Sequence, residues 1–246
     1  MDDTLEINLR APRDAALRLL IEIGIVNRAG LESAAKSGYA KADEERFDLY
    51  AWLVDAGAEP LMSNYEQSVF KEQVGEIVDE DVRELSFSLE TAGLLAWALG
   101  KIEADAGTPI RVNGGALLAS LPGPGDAVGA FVNDAKLRSL EEIAEAREIA
   151  EIWCWRFDAG SARDAFSPAE KRELDETVLV TADEAMTAGY LHETIDGDFA
   201  RNGKKVRDLD EETLDELWWI TQRKAKALTW LCGYGKSGEH APTSTE

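Results

Sequence analysis

Histidine is almost missing from this chain: His192 and His240 are the only two in 246 residues, and they lie far apart. No pair of histidines can sit a helical turn apart to bind zinc. A serine or cysteine nucleophile would have to find its base in His192, because His240 falls in a tail rich in Gly, Ser, Thr and Pro. Neither a metal nor a cofactor is therefore expected. Cysteine is as scarce. Cys154 and Cys232 sit in apolar helical settings, Trp153-Cys-Trp155 and Trp230-Leu-Cys232, which read as reduced core positions. No apolar run approaches the roughly 20 residues needed to span a bilayer. Met1-Asp-Asp-Thr shows neither a basic start nor an apolar stretch after it, so no signal peptide is expected and the location reads as cytoplasmic. Basic side chains are outnumbered, 26 against 48 acidic ones. The formal charge of −22 argues against nucleic-acid and anionic membrane partners and favours a basic protein.

Phosphate-binding loops are missing too. The glycines of Pro122-Gly-Pro-Gly-Asp-Ala-Val-Gly129 are interrupted by two prolines, and no buried strand leads into them. Gly235-Lys-Ser237 has Trp230 where a phosphate loop needs its first glycine, and no helix follows. Asp196-Gly-Asp198, beside His192, reads as a hairpin turn in preference to a cation site.

What the chain does have is helical patterning and a 45% hydrophobic content, including seven tryptophans. Its most apolar stretch runs from Glu84 to Gly100 and is apolar most of the way round, the mark of a buried helix. A central helix over about 79–100 is predicted, opened by Asp79 and closed by Gly100. Before it come a short strand over 4–9, a helix from Pro12 ending in a Gly24-Ile25 cap, and a loop over 30–41. A helix from Asp43 to Ala56 with Phe47, Tyr50, Ala51 and Val54 inward follows, then one over about 64–74 opened by the Ser63/Glu66 capping box. After it, residues 107–129 read as a long loop with a short helix at 116–121. Ser139/Glu142, Ser167/Glu170 and Thr181/Glu184 each signal a helix start. The Asn202-Gly203 pair predicts a small β-hairpin near 197–207, and Asp208 with Glu211 starts a last helix to 232. The fold class is mainly α: a single-domain helical bundle over 1–232, with a disordered tail at 233–246.

One residue breaks the pattern of the central helix. Glu90 places a carboxylate in an apolar run, which is costly unless cations or donors meet it. Left unpaired it would have the raised pKa of a general acid. Arg138, Arg156 and Arg223 all lie in or beside apolar helices and could meet it in fork geometry, and a structural ion-pair network of this kind is the favoured reading.

Four segments resemble a bacterial family, the domain of unknown function four-two-seven-two. They are Arg13-Asp-Ala-Ala-Leu-Arg-Leu-Leu-Ile-Glu-Ile-Gly24, Glu90 with Leu94-Leu-Ala-Trp-Ala-Leu-Gly100, Leu137-Arg-Ser-Leu-Glu-Glu-Ile143 leading to Trp153 and Arg156, and Arg223-Lys-Ala-Lys-Ala-Leu-Thr-Trp-Leu231. Two departures stand out: Lys224 where a histidine-like residue is expected, and an insertion around 177–207. The resemblance implies a cytosolic, mostly helical protein with no reaction to carry over. It places the family's polar positions at Glu90, Arg138, Glu142, Arg156 and Arg223.

The balance leans against an enzyme. The charge and the missing catalytic set suggest a non-enzymatic protein-binding module, an inhibitor or immunity-type partner of a basic protein. The alternatives are a hydrolase or small-molecule binder built on the Glu/Arg cluster, and a structural homo-oligomer.

Overall fold

Pro12 opens the first helix after an extended Ala11, at a position where its missing amide is not needed. In the computed structural model, which describes residues 7–235, this helix (α1, Pro12–Lys36) runs straight through Gly24 and through much of the expected loop at 30–41. Gly24 serves packing and does not cap: a Cβ there would lie 2.8 Å from Leu53 Cδ1 and 3.1 Å from Phe70 Cζ. The next charged residues, Arg28 and Glu32, pair with each other at 2.6 Å and are fully buried, so the helix continues through the core. Residues 4–6 of the expected N-terminal strand lie outside the described residues, and 7–9 form no strand. Instead Asn8 and Arg10 donate their amides to the carbonyls of Cys232 and Leu231.

Helix α2 (Ala42–Asp55) presents a different face from the expected one: Arg46, Leu49, Trp52 and Leu53 are buried while Phe47 is 60% exposed. Arg46 turns inward because its guanidinium bonds the carbonyls of Phe70 and Lys71 at the end of α3 (Asn64–Lys71), where helix carbonyls lack intrahelical donors. The predicted central rod is two helices, α4 (Asp79–Ser86) and α5 (Ser88–Ala98), joined at Phe87. Phe87 stacks on Trp219 with ring centroids 5.7 Å apart. The cap residue is Val78 and not Asp79.

Nearly all of α5 is buried, packed on α1 and on the last helix. Gly93 lets the segment at residue 112 cross it closely, since a Cβ would fall 2.3 Å from Val112 Cγ2. Gly93→Ala should therefore destabilise the protein by about 1–3 kcal/mol, overpacking outweighing the gain of roughly 1 kcal/mol in helix propensity. A thermal melt that rises in this variant would contradict the close crossing.

The stretch after α5 holds two short helices, α6 (Gly114–Ala119) and the unexpected α7 (Gly129–Asn133). Ser139 and Ser167 form the predicted capping boxes of α8 (Leu140–Ala162) and α9 (Pro168–Ala188), as Ser63 does for α3. Thr181 starts nothing: α9 passes through it without a break. The predicted hairpin is a three-stranded antiparallel sheet, β1 (Thr194–Ile195), β2 (Asp198–Arg201) and β3 (Lys204–Lys205). Its turns, Asp196-Gly197 and Asn202-Gly203, have positive φ at all four residues, the geometry for which such pairs are suited. Helix α10 (Glu211–Leu231) is capped by Asp210, which accepts from Thr213, and not by Asp208.

Two apolar clusters result. The larger gathers α1, α2, α3 and α5 with Ile143, Ala146 and Ala150 of α8 and Leu228 and Leu231 of α10. The smaller joins Trp153 and Phe157 of α8 to Ala182, Ala185, Phe199 and Leu217. Helices α8 and α10 thus run through both. No helix among the described residues is long and apolar enough to cross a membrane. Of the tail expected to be disordered, residues 236–246 lie outside the described residues.

Candidate functional site

Glu90 is 2% exposed, and none of the three arginines reaches it. Both of its carboxylate oxygens accept from the amide of Val112, at 3.1 and 3.3 Å. Its compensating charge is Lys224, buried opposite it on α10. Burial raises the Glu90 pKa above the usual carboxylate range, and Lys224, the Val112 amide and Arg111 offset this only in part. Burial likewise pushes the Lys224 ammonium down to about 8, against the pull of Glu90 and Asp105. Lys224 donates to the carbonyls of Asp105 (3.2 Å), Thr108 (3.0 Å) and Ile110 (2.5 Å). The pair therefore straps the segment 105–112 across α5 and α10.

The other four residues are dispersed. Arg138 donates from Nε to the Trp97 carbonyl (2.8 Å) and bonds Glu142 (3.1 Å) and Glu103 (2.6 Å) at the surface. Glu142 also completes the α8 capping box. Arg156 forks onto Asp198 at 2.7 and 2.8 Å, and that carboxylate is shared with Arg207. Burial opposes ionisation of Asp198, but the two guanidinium groups hold its pKa below the usual range. Arg223 bonds Glu84 at 2.9 Å. Only Arg138 and Glu142 touch each other, so the five do not converge on one site.

Two other arrangements do bring polar groups together. The first is a cavity of about 80 Å³ between α1, α3, α4, α5 and α10. Arg18 lies in its wall, donating to Glu66 (3.0 Å) and Glu22 (2.5 Å), and Arg223, Glu84 and Lys226 line the rest of its polar side. The second is the chain from α3 to α4. Arg28 donates to the carbonyls of Val69 (3.0 Å) and Glu72 (3.1 Å), and Arg46 to those of Phe70 and Lys71. Asp43 accepts from the Val74 amide (3.2 Å) and Glu32 from the Gly75 amide (2.6 Å). Bonding to Arg46 and to the Val74 amide holds the Asp43 pKa below its usual value. Above these staples, residues 72–81 show the exposed acids Glu72, Glu76, Asp79, Glu80 and Asp81 around Val78, which is 60% exposed.

Sequence reading missed Lys224 as the partner of Glu90 and missed both sets of buried ion pairs on α1. A usable signal existed. Arg18/Glu22 and Arg28/Glu32 are opposite charges at i,i+4 on a helix whose neighbouring positions are apolar, a spacing at which buried charges can satisfy each other. No group of three or more His, Cys, Asp or Glu that could hold a metal ion occurs among the described residues.

The family model described as "Domain of unknown function (DUF4272)" matches residues 1–187, and the chain belongs to this family. No curated protein and no solved structure matches it. The sheet and α10 lie beyond the matched residues, yet α10 supplies Leu228 and Leu231 to the main core and Lys224 to Glu90.

Proposed function

We propose that this member of the DUF4272 family is a non-enzymatic, cytoplasmic protein-binding module that docks a basic protein, as an inhibitor or an immunity-type partner does. The observation that carries this reading is the stapled acidic segment. Residues 72–81 hold five acidic and no basic side chains, and buried Arg28 and Arg46 fix the backbone that leads into them. A surface ordered before binding loses less entropy on association. Its charge would speed encounter with a cationic partner and repel nucleic acid. An exposed Val78 amid the carboxylates offers an apolar contact at the centre of the patch. Free Cys154 and Cys232 fit a reducing compartment, and burial pushes the Cys154 thiol up to about 12, far from the thiolate form.

The test is affinity capture from the native host at low and moderate salt, with the wild-type chain and with a variant carrying Glu76→Lys, Glu80→Lys and Asp81→Lys. A basic protein should be retained by the wild type and bound at least about tenfold more weakly by the charge-reversed variant. No captured protein at either salt concentration, or capture indifferent to the three reversals, defeats the reading.

A further inference from the structure

We infer that the cavity between α1, α3, α4, α5 and α10 is a binding site for a small organic carboxylate with a short apolar body. All three carboxylates in the wall already face arginines: Glu22 and Glu66 face Arg18, and Glu84 faces Arg223. The groups left over are donors. Arg223 Nε and the Trp230 indole Nε1 are buried with no hydrogen-bond partner among the described residues, and both side chains line the cavity. Among the described residues Lys226, also in the wall, makes no ion pair, and the hydroxyls of Ser88 and Thr91 make no hydrogen bond. Burial and the nearby Arg223 lower the pKa of Lys226, against the pull of Glu84, whose carboxylate is already bonded by Arg223.

Buried donors without acceptors are costly, and the chemistry that completes this set is an anion with two acceptor oxygens. Ile25, Val69, Leu95 and Ala227 give the remaining wall an apolar lining. The volume of about 80 Å³, at about 10–15 Å³ for each water-sized group, holds about five to eight non-hydrogen atoms. A carboxylate of that size can place its head against Arg223, Lys226 and Trp230 and its carbon chain against the aliphatic side chains. An isosteric primary amide would turn an NH₂ toward these donors and leave some of them unmatched.

The experiment is a titration of the ¹⁵N-labelled full chain, followed at the tryptophan indole N–H resonances. That of Trp230 is assigned by its loss in Trp230→Phe. Isovalerate, pyruvate and succinate are the probes, and isovaleramide is the neutral isostere. At least one acid should move the Trp230 resonance saturably at millimolar concentration, isovaleramide should not, and Lys226→Met should weaken that acid at least about tenfold. Thr91→Val, which keeps shape and removes a hydroxyl, should weaken it less. The inference is overturned if none of the three acids saturates the shift, if isovaleramide matches the acid, or if Lys226→Met binds as tightly as wild type while retaining the native circular dichroism spectrum.

Discussion

Lys224→Met should destabilise the folded chain by about 3–5 kcal/mol, the range for removing one partner of a buried ion pair. Lys224 is 1% exposed and Glu90 2%, so the variant leaves a carboxylate in the core with the Val112 amide and the field of Arg111 as its remaining compensation. It also takes the donor from three carbonyls, those of Asp105, Thr108 and Ile110. The pair need not be a net stabiliser against an apolar alternative, since burial drives the Lys224 ammonium down to about 8 even with Glu90 and Asp105 pulling the other way. Adding Glu90→Gln should accordingly recover part of the loss, giving a coupling of more than about 1 kcal/mol in a double-mutant cycle read by denaturant unfolding. The pH dependence follows from the same shifts. Between about 8 and the ordinary lysine value of 10.5 the unfolded chain binds the Lys224 proton more strongly than the folded one, so this residue makes stability rise with pH across that window. Glu90, whose pKa is raised, makes stability fall as pH climbs above the ordinary glutamate value of 4.5. Cys154, raised from 9.0 to about 12, also lowers stability as pH rises above 9. The difference between wild type and Lys224→Met carries the lysine contribution together with the further rise of the Glu90 pKa once its counter-charge is gone, so the lysine contribution alone is read in the Glu90→Gln background. Denaturation midpoints that change in parallel from pH 7.5 to 10, or a loss below about 1 kcal/mol, would show that Lys224 is not the counter-charge of Glu90.

The elements that sequence patterning captured are those whose signals are local. Ser63, Ser139 and Ser167 each form a reciprocal box with a glutamate three residues on, and Asn202-Gly203 takes the positive-φ turn its composition favours. The same logic misled at Gly24, because a helix-ending glycine and a glycine cleared for Leu53 and Phe70 look alike until the neighbouring helices are known. It misled at Thr181, where a capping pattern within a helix is overruled by continued packing of Val178, Ala182 and Ala185. The inner face of α2 was misjudged for a third reason. Apolar residues were assumed to turn inward, whereas Arg46 is drawn in by the free carbonyls of α3 and Phe47 is left outside beneath its guanidinium. At the candidate site, Glu90 was legible as an anomaly, since a carboxylate in α5 demands a partner. The partner was not legible: an amide on a loop and a lysine on α10 carry no periodic relation to it. Arginines looked like the natural mates of Glu90, but each had a nearer acceptor, Arg156 in Asp198, Arg223 in Glu84 and Arg138 in the Trp97 carbonyl.

Arg28→Met should cost about 3–5 kcal/mol as well, and it connects stability to the acidic surface. Arg28 and Glu32 both have no exposed side-chain area, so the substitution strands a buried carboxylate whose remaining contact is the Gly75 amide. It also removes the donors to the carbonyl of Val69, near the end of α3, and to those of Glu72 and Gln73, the first residues of the exposed stretch. Arg46→Met is the milder companion. Its acidic partner Asp43 is 44% exposed at the side chain and can be hydrated when the guanidinium is lost. The expected result is a lower denaturation midpoint for both variants, larger for Arg28, together with faster amide hydrogen exchange at residues 72–78. Neither substitution alters any of the five carboxylates on 72–81, so the surface charge of that segment is preserved. If a basic partner reads a preordered segment, Arg28→Met must weaken binding under conditions where the chain is still fully folded. If it reads charge alone, affinity stays at the wild-type value and only the triple lysine reversal abolishes it. A loss of stability below about 1 kcal/mol, or unchanged exchange at 72–78, would refute the staple itself, because a fully buried guanidinium with four partners cannot be removed cheaply if those contacts exist.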